Sequence, residues 1–406
     1  MKIVRKINRQ FIDSVRIELP PRSVRNKVAR ILSEIERRGD DAVLEFTQRF
    51  DRVKLTSRQM IVSEMEISGA FQSVSKEFVA KLKTIIENVS AFYRRQQEKS
   101  WKMKVVGGGF VGERIVPLER VGVYVPGGQS PLVSSVYMAV VPAKIAGVKE
   151  IYIATPPDQE GRVNPYILVV ASLLKVNRIF KVGGAQAIGA FAYGTKTVPR
   201  VDKIVGPGNQ YVTEAKRQVF GLVDIDLLAG PSEVVIIANQ FTPIEYVISD
   251  LKAQAEHIGG TAILLTTSKK MAREVRRRIP EVNGFIVVVR NLEEAVEIAN
   301  SIAPEHLEIM IKNPAPLLKK VVNAGAVFLG LYSPTALGDY YAGPSHILPT
   351  GGTARFFSGL SLEDFLKRIH VISYSRKALE EARPAIEMVA DIENMVEHRD
   401  SVKQRK

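Results

Sequence analysis

The 406-residue chain has five histidines and no cysteine, so the side chains able to move protons or hold a metal can be followed one by one. His257 closes the segment from Thr242 to Gly260, which reads as a helix. Thr242 stands as its N-cap, Pro243 in its first turn and Glu245 as the capping-box partner. On a helical wheel Asp250, Gln254 and His257 share one shoulder. Gln254 and His257 could grip one metal ion from one helix, although a polar helix edge has the same pattern. Glu305 and His306 follow Ala303-Pro304 and precede the alternating run LEIMI. An acid beside an imidazole offers a base poised near neutral pH and a carboxylate that activates water. A surface dipeptide reads the same, but strand ends of βαβ units are where ligands usually bind. Asp339 and His346 lie in residues 333–361, a Gly-, Pro-, Ser- and Thr-rich stretch whose length marks a functional loop. Asp339 adds a hard oxygen ligand suited to zinc or manganese. His398 lies five residues after Glu393 in a charged C-terminal helical stretch and reads alone as an exposed tail histidine. His370 alternates with apolar residues and reads as structural.

Absence of cysteine excludes a disulfide frame, a thiolate-bound metal and a thiol nucleophile. Aldehyde oxidation through a thiohemiacetal and alcohol oxidation on cysteine-ligated zinc are thereby removed. The net charge of +14 is concentrated in residues 1–120, with 25 Lys and Arg against 15 Asp and Glu. These lie on helical patterns without interleaved aromatics, so they read as solvated faces and not as a nucleic-acid surface. Such a surface would also draw in an anionic substrate or dinucleotide. No apolar run approaches the roughly 18 residues of a membrane span, and the N-terminus lacks a signal-peptide core. A soluble, cytoplasmic protein without a membrane partner is expected.

Residues Ser23 to Arg38 carry a helical apolar period stopped by Gly39, and Ala70 to Glu98 carry a second long one. From about Val105 short β-branched runs alternate with small-residue helices. The runs fall at 121–126, 150–156, 178–184, 203–209, 234–239, 262–267, 285–290, 306–311 and 326–330. This alternation predicts α/β architecture with parallel sheets, and the number of runs predicts two sheets. Lys377 to Lys406 reads as a helical tail. Gly107 to Gly112 matches the dinucleotide pattern G-x-G-x-x-G, but the β-rich text that follows, broken by Pro117, makes it a hairpin loop. No phosphate loop of the Walker type occurs.

The blocks GVYVPGG (122–128), GGAQAIGA (183–190), GPGNQYVTEAK (206–216), DLLAGPSE (226–233) and DLKAQAEH (250–257) resemble, in order and spacing, those of histidinol dehydrogenase. So do GDDAVLEFTQRFD (39–51), APEHLEIM (303–310) and GDYYAGPSHILPTGGTARFFSGLS (338–361). The resemblance implies a zinc-dependent enzyme that oxidises L-histidinol to L-histidine with two NAD+, through L-histidinaldehyde, as the last step of histidine biosynthesis. It implies Gln254, His257 and Asp339 as zinc ligands, with His398 as a fourth from the partner subunit of a homodimer. Glu305 and His306 match the catalytic pair. Tyr124, Gln186 and Asn209 match NAD contacts, and Ser232 and Glu393 match substrate contacts beside the metal ligands and His306. His346 lies in a matching block without an assigned role. The implied plan has two Rossmann-like domains. Residues 121–232 form an inserted one, 21–120 and 233–370 the other, 1–20 a helical segment packing with the tail, and 371–406 the tail itself. Three rivals make different predictions. A zinc hydrolase would ignore NAD+, a family relative would oxidise another amino alcohol or polyol, and a nucleic-acid binder would show steep salt dependence and ignore chelation.

Overall fold

The computed structural model describes residues 1–4, 20–127, 131–257 and 259–405. The first strand, β1 (Lys2–Val4), precedes helices α1 (Arg22–Arg38), α2 (Asp40–Phe50), α3 (Glu64–Ser73) and α4 (Lys76–Arg94). Strands β2 (Trp101–Lys104), β3 (Gly109–Pro117) and β4 (Arg120–Tyr124) lead into α5 (Val133–Ala146), β5 (Glu150–Thr155), α6 (Pro165–Leu173) and β6 (Arg178–Lys181). Next come α7 (Gly184–Tyr193), β7 (Lys203–Val205), α8 (Gln210–Val219), β8 (Asp224–Ile225) and β9 (Glu233–Ala238). They are followed by α9 (Ile244–Ala255), β10 (Thr261–Thr266), α10 (Lys269–Arg278), β11 (Gly284–Val288), α11 (Leu292–Ile302) and β12 (His306–Met310). The remainder is α12 (Ala315–Leu318), β13 (Ala326–Leu329), α13 (Thr335–Tyr340), β14 (Leu366–Tyr374), α14 (Arg376–Ile392) and α15 (Val396–Lys403).

All nine strands expected from the β-branched runs form, and they divide between two parallel sheets. One runs β6-β5-β4-β7-β8 and the other β1-β11-β10-β9-β12-β13. Both are covered on two faces, which is why their strands read as continuous apolar runs. In β4 the side chains alternate between two cores. Val121 and Val123 join α5 and α6, while Tyr124 joins α1, α7 and α8. The glycine run at 107–109 is the turn of an antiparallel hairpin between β2 and β3, and β14 adds a third strand.

Several expectations are corrected. Lys2–Val4 is a strand parallel to β11 and not part of a helix; residues 5–19, with the contact expected between that segment and the tail, lie outside the described residues. The long helical pattern from Ala70 breaks at Ser75, whose side chain accepts the Phe78 amide and caps a new helix. The helices of residues 22–94, grouped by the resemblance with 233–370, pack instead on the helices that cover the five-stranded sheet, α1 and α2 on the side of α7 and α8, α3 and α4 on the side of α6 and α5. Their apolar stripes join the cores that contain Phe180 and Ile188 on one side and Ile151 and Val140 on the other.

Candidate active site

Each parallel sheet reverses its strand order once, between β4 and β7 and between β9 and β12. In open α/β sheets a ligand crevice forms at the carboxyl side of such a point. In the five-stranded sheet the residues expected to contact NAD+ stand at that edge. Tyr124 ends β4, Gly184 starts α7 after β6, and Asn209 starts α8 after β7. Tyr124 is buried and its hydroxyl accepts the Gly184 amide at 3.0 Å. Gln186 is buried and donates from Nε2 to Asp51 at 3.3 Å. Burial pushes the Asp51 carboxyl up to about 6. Asn209 caps α8 by accepting the amides of Tyr211 and Val212.

The six-stranded sheet does not follow the rule. At its carboxyl edge Thr242 bridges the two strands, its hydroxyl accepting the Asn239 amide and donating to the Met310 carbonyl. Thr242 is therefore a tie between β9 and β12 and not the expected cap; Pro243 precedes α9 without a side-chain cap, and Glu245 pairs with Arg278. The acid–imidazole pair lies at the opposite, amino edge. His306 is the first residue of β12 and pairs in register with Val234 and Ala326. The seven residues 226–232 run from the end of β8 to the start of β9, so this amino edge and the carboxyl edge of the five-stranded sheet are one short loop apart.

The backbone at Glu305 is held on both sides. Ala303 takes φ 57 to end α11, and the Gly325 and Ala326 amides donate to the carbonyls of Pro304 and Glu305. A Cβ on Gly325 would lie 2.6 Å from the Glu305 carbonyl oxygen, so glycine is required for that approach. The Glu305 carboxyl accepts the Ser232 hydroxyl at 2.5 Å and the Glu233 amide at 3.2 Å. Burial lifts it to about 8 despite these bonds. Glu233 is raised to about 8 for the same reason, and its Oε1 takes the Gly351 amide at 2.8 Å and the Glu305 amide at 3.3 Å.

His306 is buried, and among the described residues neither ring nitrogen has a hydrogen-bond partner. Its Nδ1 lies 3.7 Å from Glu305 Oε2 and its Nε2 3.7 Å from Asp339 Oδ1. Burial, reinforced by the neighbouring His257 and His346, lowers it to about 3, so the imidazole is neutral. Phe328 packs against it with ring centroids 5.9 Å apart. Asp339, on α13, is raised to about 6 by burial. His346 is lowered to about 4 by burial. Its Nδ1 is 3.0 Å from the Asp339 carbonyl. A carbonyl only accepts, so Nδ1 carries the proton and Nε2 faces the Ser135 hydroxyl at 3.3 Å.

Gln254 is buried in the last turn of α9 with its Nε2 unpartnered. The helix ends at Ala255 and not at Gly260. His257 stands on the following turn, its amide donating to the Gln254 carbonyl, so the two side chains do not share one continuous helix. His257 nonetheless stands near enough to depress both His306 and His346. The structure thus gathers Ser232, Glu305, His306 and Asp339, with His257 and His346 beside them. Glu393 and His398 are elsewhere in the chain, at the end of α14 and on α15; among the described residues these helices pack mainly on each other, with α14 also meeting β14 and the glycine turn at 107. His370 is exposed on β14, 3.6 Å from Glu113. Among the described residues no three His, Cys, Asp or Glu side chains are arranged to hold a metal ion. Within one chain the implied ligand set contains only His257 and Asp339 of those types.

Sequence reasoning passed over Glu233, Glu308 and Asp51, and placed Asp250 on the helix shoulder without a role. A signal existed for the first two: an acidic residue inside the apolar runs SEVVIIAN and HLEIMI.

A sequence profile for histidinol dehydrogenase matches residues 16–406. The chain belongs to the histidinol dehydrogenase family. It is 46% identical over 402 residues to the histidinol dehydrogenase of Syntrophotalea carbinolica, covering 95% of this chain and 93% of that protein. It is 46% identical over 393 residues to that of Heliobacterium mobile, covering 93% and 92%. The crystal structure of the family member from Elizabethkingia anophelis superposes with a TM-score of 0.93 at 35% identity, covering 100% of this chain and 98% of that one.

Proposed function

We propose that this chain oxidises L-histidinol to L-histidine, consuming two NAD+ and one water. Family membership over nearly the whole chain supports the reaction. The single structural observation that carries the mechanism is the neutral, unpartnered imidazole of His306 between two raised carboxyls. In the first half-reaction His306 takes the hydroxyl proton as hydride leaves the carbinol carbon for NAD+, giving L-histidinaldehyde. Glu305, once ionised, takes a proton from water as the oxygen adds to the aldehyde, and His306 returns its proton to the aldehyde oxygen, so the hydrate forms and the imidazole is neutral again. His306 then takes a hydroxyl proton of the hydrate while a second hydride leaves, giving the acid. Ser232 keeps the Glu305 carboxyl aimed through its 2.5 Å bond.

Zinc fits the residues present. Gln254 offers a buried amide whose carbonyl oxygen is able to ligate, Asp339 a carboxyl raised by burial, and His257 an imidazole. These three would hold it, with His398 supplied by the partner subunit. A bound zinc ion would act as a Lewis acid that orients the substrate's imidazole and amine. NAD+ would dock at the carboxyl edge of β4 and β7, where Tyr124, Gln186 and Asn209 shape the crevice.

A homodimer accounts for the tail. Ile372, Met388 and Ile392 are 73%, 65% and 74% exposed on β14 and α14, an apolar surface that a single chain leaves in water. In the dimer Glu393 and His398 would complete the partner's site. Mixing inactive Asp339→Ala and His398→Ala proteins tests this. Recovery of NADH formation from L-histidinol in the mixture is expected, and two variants that stay inactive together would contradict exchange of the tail.

A further inference from the structure

Two carboxyl groups that the reaction does not use face each other beneath the site. Glu308 lies on β12 between His306 and Met310, buried on the face where α9 packs. Its Oε1 accepts both the amide and the hydroxyl of Thr335 at 2.9 Å each, holding the first residue of α13. Its Oε2 is buried and has no hydrogen-bond partner among the described residues, and the neighbouring acid is Asp250 on α9. Two carboxylates cannot both stay ionised at contact in such a place. Burial pushes both groups up, so one of the two keeps its hydrogen.

The three elements joined here are those that carry the site. Asp250 is one helical turn before Gln254 on α9, Glu308 is two residues after His306 on β12, and Thr335 is one turn before Asp339 on α13. A second contact fixes the same short helix. Gly338 lies so close to Phe328 that a Cβ would come within 2.7 Å of the ring, and Phe328 in turn packs on His306.

We propose that Glu308 and Asp250 are positioning residues that share one hydrogen and so clamp α9 and α13 onto β12, fixing Gln254 and Asp339 relative to His306. The inference rests on the zinc-ligand reading above for its consequence, but not for its geometry. Partners that orient metal ligands from behind typically change metal affinity or activity about 10- to 100-fold when removed.

The test uses the full-length protein and two readouts, amide hydrogen exchange of α13 without metal and zinc affinity by competition with a chromogenic chelator. Glu308→Gln keeps an oxygen for Thr335 and an N–H for Asp250, so exchange and zinc affinity should stay within about threefold of the parent. Glu308→Ala should speed α13 exchange and weaken zinc at least tenfold. Asp250 is only partly buried, so Asp250→Ala decides the matter if Glu308→Ala does not fold; it should weaken zinc by a similar factor. Three results would overturn the clamp: Glu308→Gln as damaging as Glu308→Ala, unaltered α13 exchange in Glu308→Ala, or unaltered zinc affinity in Asp250→Ala. A parent protein that takes up no zinc would refute the ligand reading, while exchange in the metal-free chain would still decide the clamp.

Discussion

Buried charges are treated in opposite ways by the two parallel sheets. Around the five-stranded sheet each buried lysine meets an acid. Lys216 pairs with Asp226 and donates to the Gly206 carbonyl, Lys203 meets Asp224 and Asp364 at 2.9 and 3.1 Å, and Lys181 meets Glu66 at 2.5 Å. At the amino edge of the six-stranded sheet Glu233, Glu305 and Asp339 are all raised, His306 and His346 are lowered, and the nearest ionic contacts are between these groups themselves. A buried ion pair with its hydrogen bonds made is a finished piece of structure. A cluster of acids and neutral imidazoles without a cation is unfinished until something binds, and such clusters mark functional sites.

This contrast is most sharply broken at His306. Replacing it with Gln should lower kcat by roughly 10²- to 10⁴-fold, the usual worth of a general base. The urea midpoint should hold or rise, because the substitution removes a buried ring whose nitrogens have no partner. A kcat loss under tenfold would remove His306 from the proton transfers. Lys216→Met should do the reverse, costing about 3–5 kcal/mol of unfolding free energy by leaving Asp226 buried alone. Asp339→Asn, by contrast, should stabilise the metal-free protein by about 1–2 kcal/mol above pH 7, since a carboxyl raised to about 6 is a folding penalty when ionised. Denaturant titrations of both variants compare the two regions directly, and equal losses would erase the distinction.

The pH dependence of stability sharpens the same point. Glu233 and Glu305 titrate near 8 in the folded chain against 4.5 when unfolded, so the folded state holds the extra protons between those values. That contribution is complete below 4.5 and is lost as the pH rises through about 8. His306 and His346 act oppositely below 6.5, where unfolding lets them take protons. The clean window is therefore pH 6.5 to 8. Metal-free protein should lose thermal stability across it, and Glu305→Gln should reduce the fall by about 1 kcal/mol. A fall unchanged in Glu305→Gln would mean that Glu305 is not the group titrating. The smallest effect belongs to the finished side. Gly184 takes φ +59 and an added Cβ would lie 2.7 Å from Gln186 Oε1. Gly184→Ala should cost about 1 kcal/mol and raise the KM for NAD+ a few-fold at unchanged kcat.

The sequence made the two parallel sheets legible because both faces of each are covered, which turns strands into unbroken apolar runs such as VVIIAN and AILLTT. The exposed antiparallel strand β14 has no such run, and only the glycine turn at 107–109 announced its sheet. Glu305 and His306 could be singled out because they are adjacent in sequence and bounded by Pro304. Their location at the amino edge was not legible, since a strand's letters do not say which end faces the second sheet. The pairing of Glu308 with Asp250 was hidden for a similar reason. The two residues are 58 positions apart, and only the packing of α9 on β12 brings them together.

The most direct test of the central claim is the count of NADH formed per L-histidinol consumed, followed at 340 nm to completion with and without a chelator. Two NADH per histidinol, lost on chelation and restored by zinc, is the predicted result. One NADH, with aldehyde released, would contradict the role given to Glu305, and no NADH from the zinc-loaded dimer would contradict the substrate.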